Sequence, residues 1–372
     1  MYICKVGTNH IFYNSTPVHI MDELIYNALD LLKAMIAIPS TSRNENEVAN
    51  IIEAFINNAG YDANRVGNNI WCRSKHFSAS HPTILLNSHI DTVKPVEGWT
   101  YDPFNPTEIE DTIYGLGSND AGASVISLLA TFIYLDSREQ SYNMIFLASA
   151  EEEISGKGGI ESVLPLLPKI DVAIVGEPTD MQPAIAEKGL MVIDGVISGL
   201  SGHAARNEGI NAIYIALNVI ETLKNLTFPK VSPLLGPVKV TVTQIESGTQ
   251  HNVIPDRCKI VIDVRTTEMY SNLDVLDIIR KAVPQCELTA RSTRLNSSSI
   301  DITHPIIRRL TMLGKVPFGS PTLSDQALMS FPSVKIGPGF SSRSHTANEF
   351  ITVPEIRNAI QTYITVLDNL TI

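Results

Sequence analysis

NMIFLASAEEE, at residues 143–153, is an apolar run of strand length that ends in three consecutive carboxylates. A run of this length between polar residues is typical of a buried parallel strand. Open α/β sheets bind their ligands at the carboxyl ends of the strands, so the carboxylates stand where a site would form. Taken alone, this stretch is explained equally well by an acidic loop at the surface.

Two further apolar runs end on side chains that can bind metals. The run at residues 82–88 is followed by His89 and Asp91, and the run at residues 170–175 is followed by Glu177. Residues i and i+2 of a strand share a face, so one nitrogen of His89 could bind a metal while Asp91 orients the other. A surface pair is the more common explanation of a lone His-x-Asp.

Asp120 stands at the predicted start of a small-residue helix that covers residues 123–135. An N-cap alone would explain an Asp at this place. Because predicted strands alternate with helices, we expect a mostly parallel sheet, which would bring Asp120 and the three strand ends to one edge. So many carboxylates at one edge require a cation to offset their charge.

The composition limits the class of protein. At 372 residues the chain exceeds the usual size of one core, which favours two domains. The net charge of −11 argues against nucleic acid and anionic membranes as partners. The four cysteines form no CxxC pair, and no apolar run has the length of a membrane span or a signal segment. A reduced, cytoplasmic setting is the resulting expectation.

A change of pattern at Lys188 predicts an inserted domain. Residues 188–296 follow a βαββαβ order, which is typical of a ferredoxin-like domain. The catalytic domain would then be discontinuous, with residues 21–187 and 297–372, and residues 1–20 would form an N-terminal extension. The predicted fold class is therefore α/β, with a mostly parallel catalytic sheet and an inserted lid.

Five short blocks, taken together and in this order, resemble the acetylornithine deacetylase and succinyl-diaminopimelate desuccinylase family of dinuclear zinc amidohydrolases. The blocks are His89-x-Asp91 and residues 117–120, 151–152, 176–179 and 344–349. The likeness covers about residues 21–372. It is greatest to acetylornithine deacetylases of arginine biosynthesis, including variants that act on acetylcitrulline or on succinylated ornithine or citrulline. The resemblance implies hydrolysis of the amide bond of an N-acyl-L-amino acid such as N2-acetyl-L-ornithine.

The resemblance also implies a set of metal ligands. His89 and Glu177 would bind one Zn²⁺ ion, Glu152 and His345 would bind the other, and Asp120 would bridge the two, with Co²⁺ able to substitute. Imidazole and carboxylate groups are suitable zinc ligands. Two metal ions about 3.5–4 Å apart can activate a water and stabilise the charge that develops in the reaction.

Two further roles are implied within the catalytic domain. Asp91 would orient His89, and Glu151 would be the general base that passes a proton to the leaving amine. The peptide bond between Asp120 and Ala121 is expected to be cis.

The lid is implied to complete the site. His203 would reach the active site of a partner subunit and help to hold the oxyanion, so a homodimer is expected. Asn252 and Arg265 would bind the substrate, and Arg265 could hold its carboxylate through two hydrogen bonds. Lys188 would add positive charge. Without the resemblance, each of these residues is explained as a surface residue or as a salt-bridge partner.

Two alternatives stay open. A dipeptidase or tripeptidase could use the same two-zinc site, and a non-catalytic, metal-stabilised dimeric binding protein could retain it. Other hydrolytic and cofactor-dependent classes lack support, since Gly-x-Ser-x-Gly is absent and residues 115–120 lack the last Gly of a dinucleotide-binding motif.

Overall fold

The computed structural model describes residues 17–372, with side chains described from Met21 onward. The predicted extension at residues 1–20 lies mostly outside the described part. Within that part, no helix combines the length and apolar character needed to cross a bilayer. The α-helices are α1 Pro17–Ile36, α2 Asn46–Asn58, α3 Ala123–Asp136, α4 Ile160–Val163, α5 Ala212–Asn225, α6 Asn272–Ala282, α7 Pro305–Met312 and α8 Val353–Leu367.

In the part of the chain that the structure describes, the strands form four separate sheets. In chain order they are β1 Asn64–Val66, β2 Asn69–Arg73, β3 Thr83–His89, β4 Thr107–Ile109, β5 Thr112–Tyr114, β6 Asn143–Ser149, β7 Val172–Val175, β8 Ala184–Glu187, β9 Gly189–Ser198, β10 Gly202–His203, β11 Lys239–Ser247, β12 Val253–Ile254, β13 Arg257–Thr266, β14 Cys286–Ala290, β15 Ser298–Ser299, β16 Phe318–Ser320, β17 Ser333–Lys335 and β18 Phe350–Thr352.

The largest sheet has the strand order β1-β2-β6-β3-β7-β17-β8-β15, with β16 paired to β8. Its central strands β6, β3, β7 and β17 run parallel to one another. The apolar runs predicted as buried strands are β3, β6 and β7, and every residue in them is buried. Helices α1, α3 and α8 pack together beside this sheet. The prediction of an α/β fold with a mostly parallel sheet is confirmed.

The lid is a second, antiparallel sheet with the strand order β11-β13-β9-β14. Helices α5 and α6 follow β9 and β13 in the chain, which gives the predicted βαββαβ order. The sheet and its helices share a hydrophobic core of their own, with Ile193, Val219, Ile260 and Ile279 completely buried in it. The exact boundaries at 188 and 296 stay predictions.

The topology places the predicted site residues at one edge of the large sheet. His89 is the last residue of β3, the three glutamates begin two residues after β6, and Glu177 follows β7 by two residues. Because these strands are parallel, their carboxyl ends meet at the same edge. A kinked turn at residues 118–122, non-helical at Asp120 and Ala121, precedes α3 and carries Asp120 to this edge.

Candidate metal centre

Asp120 lies between two histidines. Its Oδ1 atom is 3.2 Å from His89 Nε2, and its Oδ2 atom is 3.7 Å from His345 Nε2. Because the two oxygens face different imidazoles, Asp120 can belong to two sets of ligands at once. The peptide bond from Asp120 to Ala121 is cis, as predicted.

Each histidine has a second carboxylate beside it. Glu177 Oε1 is 3.7 Å from His89 Nε2, and Glu153 Oε2 is 3.1 Å from His345 Nε2. Two groups of one imidazole and one carboxylate therefore share Asp120. The structure brings all five predicted metal ligands to this edge, but the carboxylate beside His345 is that of Glu153, where Glu152 was expected.

The first of the three glutamates turns away from the histidines. Glu151 has a φ of 55°, in the left-handed region, and its carboxylate accepts a hydrogen bond from the Gly158 amide at 3.4 Å. A Cβ atom at Gly156 or Gly158 would overlap this carboxylate, so the glycines leave the space that it fills. Arg43 Nε lies 3.9 Å from it. In this position Glu151 closes the loop that follows β6.

The other two glutamates are therefore displaced by one position from the prediction. Glu153 reaches His345, whereas ligand atoms of Glu152, His89 and Glu177 lie within 4.8 Å of one another. The predicted pairing of Glu152 with His345 is replaced by that of Glu153 with His345. The sequence does not show which of the three consecutive glutamates lies beside His345, because this depends on the backbone turn at Glu151.

Asp91 stabilises the turn at residues 151–153. Its buried carboxylate accepts the backbone N–H groups of Glu152 at 3.0 Å and Glu153 at 3.1 Å, and the Ser42 hydroxyl at 2.7 Å. His89 Nδ1 lies 2.9 Å from the Asp91 carbonyl oxygen and 3.5 Å from Oδ1. The expected contact between Asp91 and His89 is present, and the main-chain oxygen is the nearer partner.

Glu349 binds the backbone at Asp120, and no role was predicted for it from the sequence. Its carboxylate accepts the N–H groups of Gly117 at 3.0 Å and of Asn119 and Asp120 at 2.8 Å. Glu349 is almost fully buried, and this burial raises its pKa to about 8. A buried acid has no signature of its own in a single sequence.

Asp325 is a second buried acid that the sequence reasoning missed. Its Oδ2 atom accepts the Ser149 hydroxyl at 2.5 Å, at the end of β6. Burial raises the pKa of Asp325 to about 6. Asp325 therefore adds a further carboxylate beneath the edge that carries the candidate ligands.

The carboxylates outnumber the cations that could balance them. Burial raises the pKa of Glu177 to about 8 and also raises that of Glu152. Burial alone would lower the pKa of His89, but hydrogen bonds to Asp120 and Asp91 raise it well above its usual value. Burial likewise opposes ionisation of Asp120, yet its contacts with His89 keep its pKa low. Bound cations would stabilise the ionised carboxylates, and this donor set fits zinc.

A cavity of about 520 Å³ opens onto the candidate ligands. Asp120, Glu153, Glu177 and His345 line one side of it, and residues 320–323 line another. This volume is within the range of sites for small molecules. A substrate in the cavity would contact both the metal ligands and this second wall.

The predicted lid residues do not line this cavity. His203 and Asn252 are exposed and lie beside each other, on or next to the paired strands β10 and β12. Arg265 is bound through Nε and Nη2 to Asp263, at 2.9 and 3.0 Å. Lys188 is half-buried at the start of the lid. Of the four, Lys188 is joined to the cavity wall through its backbone, because its N–H group donates to the Ser320 carbonyl oxygen at 3.2 Å.

This fold and donor set define a metallohydrolase. The family described as peptidase family M20/M25/M40 matches residues 85–369. The chain belongs to this family.

Named relatives cover most of the chain. A succinyl-diaminopimelate desuccinylase from Orientia tsutsugamushi is 24% identical over 341 residues, which are 87% of this chain and 84% of that protein. An acetylornithine deacetylase from Proteus mirabilis is 28% identical over 289 residues, which are 72% and 74% of the two chains.

Solved structures share the fold. Aminopeptidase PepT from Bacillus cereus has a TM-score of 0.74 at 16% identity, over 94% of this chain and 98% of that one. A dinuclear metal-binding peptidase of the M20 family from Bacillus subtilis has a TM-score of 0.70 at 19% identity, over 94% of this chain and 100% of that one.

Proposed function

We propose that this protein is a zinc-dependent amidohydrolase that acts on an N-acyl-L-amino acid. The proposed substrate is N2-acetyl-L-ornithine or its succinyl or citrulline analogue, and the products are the free amino acid and a carboxylate, as in arginine biosynthesis. The observation that carries the proposal is Asp120, whose two oxygens face two separate histidine–glutamate pairs. Family membership and the relatives that act on acylated amino acids support this choice of substrate.

The proposed ligand sets follow from the contacts. His89, Asp120 and Glu177 would hold one Zn²⁺ ion, and Asp120, Glu153 and His345 would hold the other. When bound, such ions lower the pKa of a water and offset negative charge at the carbonyl oxygen. Co²⁺ should replace Zn²⁺, because imidazole and carboxylate groups bind both metals.

Glu152 is the proposed general base, in place of Glu151. It lies near His89 and Glu177, yet each set of three ligands is complete without it. A carboxylate that is left over at the site can accept a proton from water and deliver it to the leaving amine. Glu151 cannot do so from its position beside Gly158.

The lid is proposed to act between two copies of the chain. Strand β11 is an edge of the lid sheet and contacts α5, and Ile245 of the strand and Tyr214 and Leu217 of the helix are exposed. An unpaired edge with an apolar surface favours association with another protein surface. A homodimer formed there would let His203 of one subunit serve the partner's site and hold the oxyanion.

Substrate binding by the lid follows the same arrangement. Asp263 occupies the Nε and Nη2 atoms of Arg265, which leaves Nη1 for a substrate carboxylate, with Asn252 as a second polar contact and Lys188 as added positive charge. The proposed binding partners are small N-acyl amino acids, and binding to nucleic acid or membranes is not proposed. A cytoplasmic location is part of the proposal and rests on the cysteine pattern.

The test is a substrate panel on the metal-reconstituted protein. The chain is stripped with a chelator and reloaded with Zn²⁺ or Co²⁺. Release of free amine is then measured from acetyl and succinyl derivatives of ornithine and citrulline, and from dipeptides and tripeptides. Turnover of the acylated amino acids, lost on stripping and restored by metal, is expected. Turnover of peptides alone would establish a peptidase instead, and two bound metals without turnover would favour a binding protein.

A further inference from the structure

Lys335 lines the cavity and belongs to a buried ion pair outside the proposed metal ligands. Lys335 ends strand β17, at the same edge of the sheet as His89, and is only 3% exposed. Its Nζ atom is 3.0 Å from Oε2 of Glu187, which is completely buried. Lysine is almost never fully buried unless it is paired. Neutral side chains at these two positions would avoid the cost of desolvating two charges.

Both members of the pair bind the wall of the cavity. Lys335 Nζ also donates to the Thr322 carbonyl oxygen at 3.0 Å and to its hydroxyl at 3.1 Å. Glu187 accepts the Ser324 N–H at 3.2 Å and the Ser324 hydroxyl at 2.8 Å. Thr322 and the neighbouring Leu323 line the same cavity as the proposed metal ligands. The ion pair thus holds a segment that a substrate would contact.

Glu187 also lies where the chain crosses to the lid and back. It is the last residue of β8, and β9 of the lid begins at Gly189. The returning chain pairs Ser298 with Glu187, and the Ser297 hydroxyl donates to the Glu187 carbonyl oxygen at 2.5 Å. Both chain connections to the lid therefore lie at Glu187, whose side chain pairs with Lys335.

We propose that Glu187 and Lys335 are positioning residues that hold the wall at residues 320–324 in place relative to the base of the lid. The Nζ atom of Lys335 lies within 3.1 Å of one Glu187 oxygen and two Thr322 oxygens, so its ammonium group is directed at the protein. In this proposal Lys335 shapes the cavity and does not act as a ligand of a substrate carboxylate. The kinetic part of this proposal rests on the proposed function, because it uses that substrate panel.

Three variants separate positioning from stability: Lys335→Met, Glu187→Gln and the double variant. Each single change leaves one buried charge unpaired, so each should lower Tm, and the double variant should recover most of that loss. The contacts to Thr322 are absent in Lys335→Met and in the double variant alike. Both should therefore lose roughly tenfold in kcat/KM on acetylated and succinylated substrates. In both, the backbone N–H groups of residues 320 and 322–324 should exchange hydrogen faster; Pro321 has none.

A matched control is Lys169→Met. Lys169 pairs with Asp171 at 2.6 Å, but it is 86% exposed and lies outside the cavity. This change should leave Tm, kcat/KM and exchange at residues 320–324 as they are. Comparable losses in the control would show that removal of any paired lysine has these effects, and would overturn the proposal.

The other outcomes are equally decisive. Recovery of both Tm and kcat/KM in the double variant would reduce the pair to a structural role. A loss confined to succinylated substrates would make Lys335 a substrate ligand. If the wild type hydrolyses no substrate in the panel, the proposed function fails, and hydrogen exchange alone then decides: unchanged exchange at residues 320–324 in Lys335→Met overturns the positioning role.

Discussion

The carboxyl edge of the large sheet and the tip of the lid are built in opposite ways. At the edge, His89 is 1% exposed, and Asp91 and Glu349 hold the neighbouring ligand-bearing loops through backbone hydrogen bonds. At the tip, His203 and Asn252 are exposed on or next to a short two-stranded sheet, whose strands β10 and β12 are far apart in the chain. The side chains at the edge lie close together within one chain, whereas His203 and Asn252 at the tip do not line the cavity.

This difference separates two tasks. Buried acids at the edge fix the ligands before substrate arrives, and such preorganised groups bind metal without a large cost in reorganisation. Groups on an exposed part of the lid can instead be brought to the reacting atoms by closure or by a second subunit. The contrast predicts that changes at the edge and at the tip affect different measurements.

The largest expected effect is at the edge. Glu152→Gln should lower kcat by about 10²–10⁴-fold, the usual range for loss of a general base. The variant should still bind two metal ions, because Glu153 and Glu177 complete the ligand sets. Steady-state kinetics combined with metal analysis by mass spectrometry checks both expectations.

Glu151→Gln is the matched control for this change. Its side chain lies beside Gly158 and Arg43 and away from His345, so kcat should stay within a few-fold of the wild-type value. The opposite result, with Glu151→Gln inactive and Glu152→Gln active, would return the role of general base to Glu151.

The next effect is at the tip of the lid. His203→Ala should lower the chemical rate by roughly 10²–10³-fold, as loss of other oxyanion donors does, with metal content unchanged. Single-turnover kinetics separates this rate from product release. Retained activity in an isolated monomer would contradict the role between subunits.

A mixing experiment tests that role directly. Glu152→Gln subunits and His203→Ala subunits should each be inactive alone. Heterodimers of the two would contain one site with an intact Glu152 and the partner's intact His203, so activity should return on mixing. Verified subunit exchange without recovered activity would show that His203 does not act across the dimer.

A smaller effect is expected from the support of the bridging ligand. Glu349→Gln replaces one of the two acceptor oxygens with a donor, so the N–H groups of Gly117, Asn119 and Asp120 cannot all be satisfied. Metal affinity should fall by about 10–100-fold, as for other groups that orient metal ligands. Competition with a chelator measures the change. Glu108→Gln, an exposed glutamate paired with Lys33, is the control and should have no effect.

The sequence predicted the strands of the edge from local patterns. Apolar runs that end in metal-binding side chains predicted β3, β6 and β7, and parallel topology then brought His89, Asp120 and Glu177 together. That inference succeeds because the period and length of a strand are local properties of the chain. The register within residues 151–153 was not accessible, since it depends on a single left-handed residue.

Buried supporting groups were also beyond the sequence. Glu349 and Asp325 are acidic residues far along the chain from the loops they contact, and nothing local distinguishes them from exposed acids. The same holds for Lys335, because its partner Glu187 precedes the inserted lid in the chain and Lys335 follows it. Such pairs are set by the tertiary fold, which a single sequence does not specify residue by residue.

The smallest expected effect tests whether the two regions are thermodynamically separate. Helix α6 of the lid begins with a capping box formed by Ser271 and Asp274, and α8 of the catalytic domain begins with one formed by Thr352 and Glu355. Ser271→Ala and Thr352→Ala remove equivalent hydrogen bonds, and each should lower the free energy of unfolding by about 1 kcal/mol.

The two capping variants should nevertheless differ in calorimetry, because the lid and the catalytic sheet have separate hydrophobic cores. A loss of about 1 kcal/mol shifts Tm by roughly 4–8 °C in a unit of 60–100 residues and by about 2–4 °C in one of 150–250 residues. Ser271→Ala should therefore shift a lid transition more than Thr352→Ala shifts the catalytic one, and each should leave the other transition in place. If both variants move one shared transition by the same amount, the lid does not unfold independently, and the predicted boundaries at residues 188 and 296 do not delimit a cooperative unit.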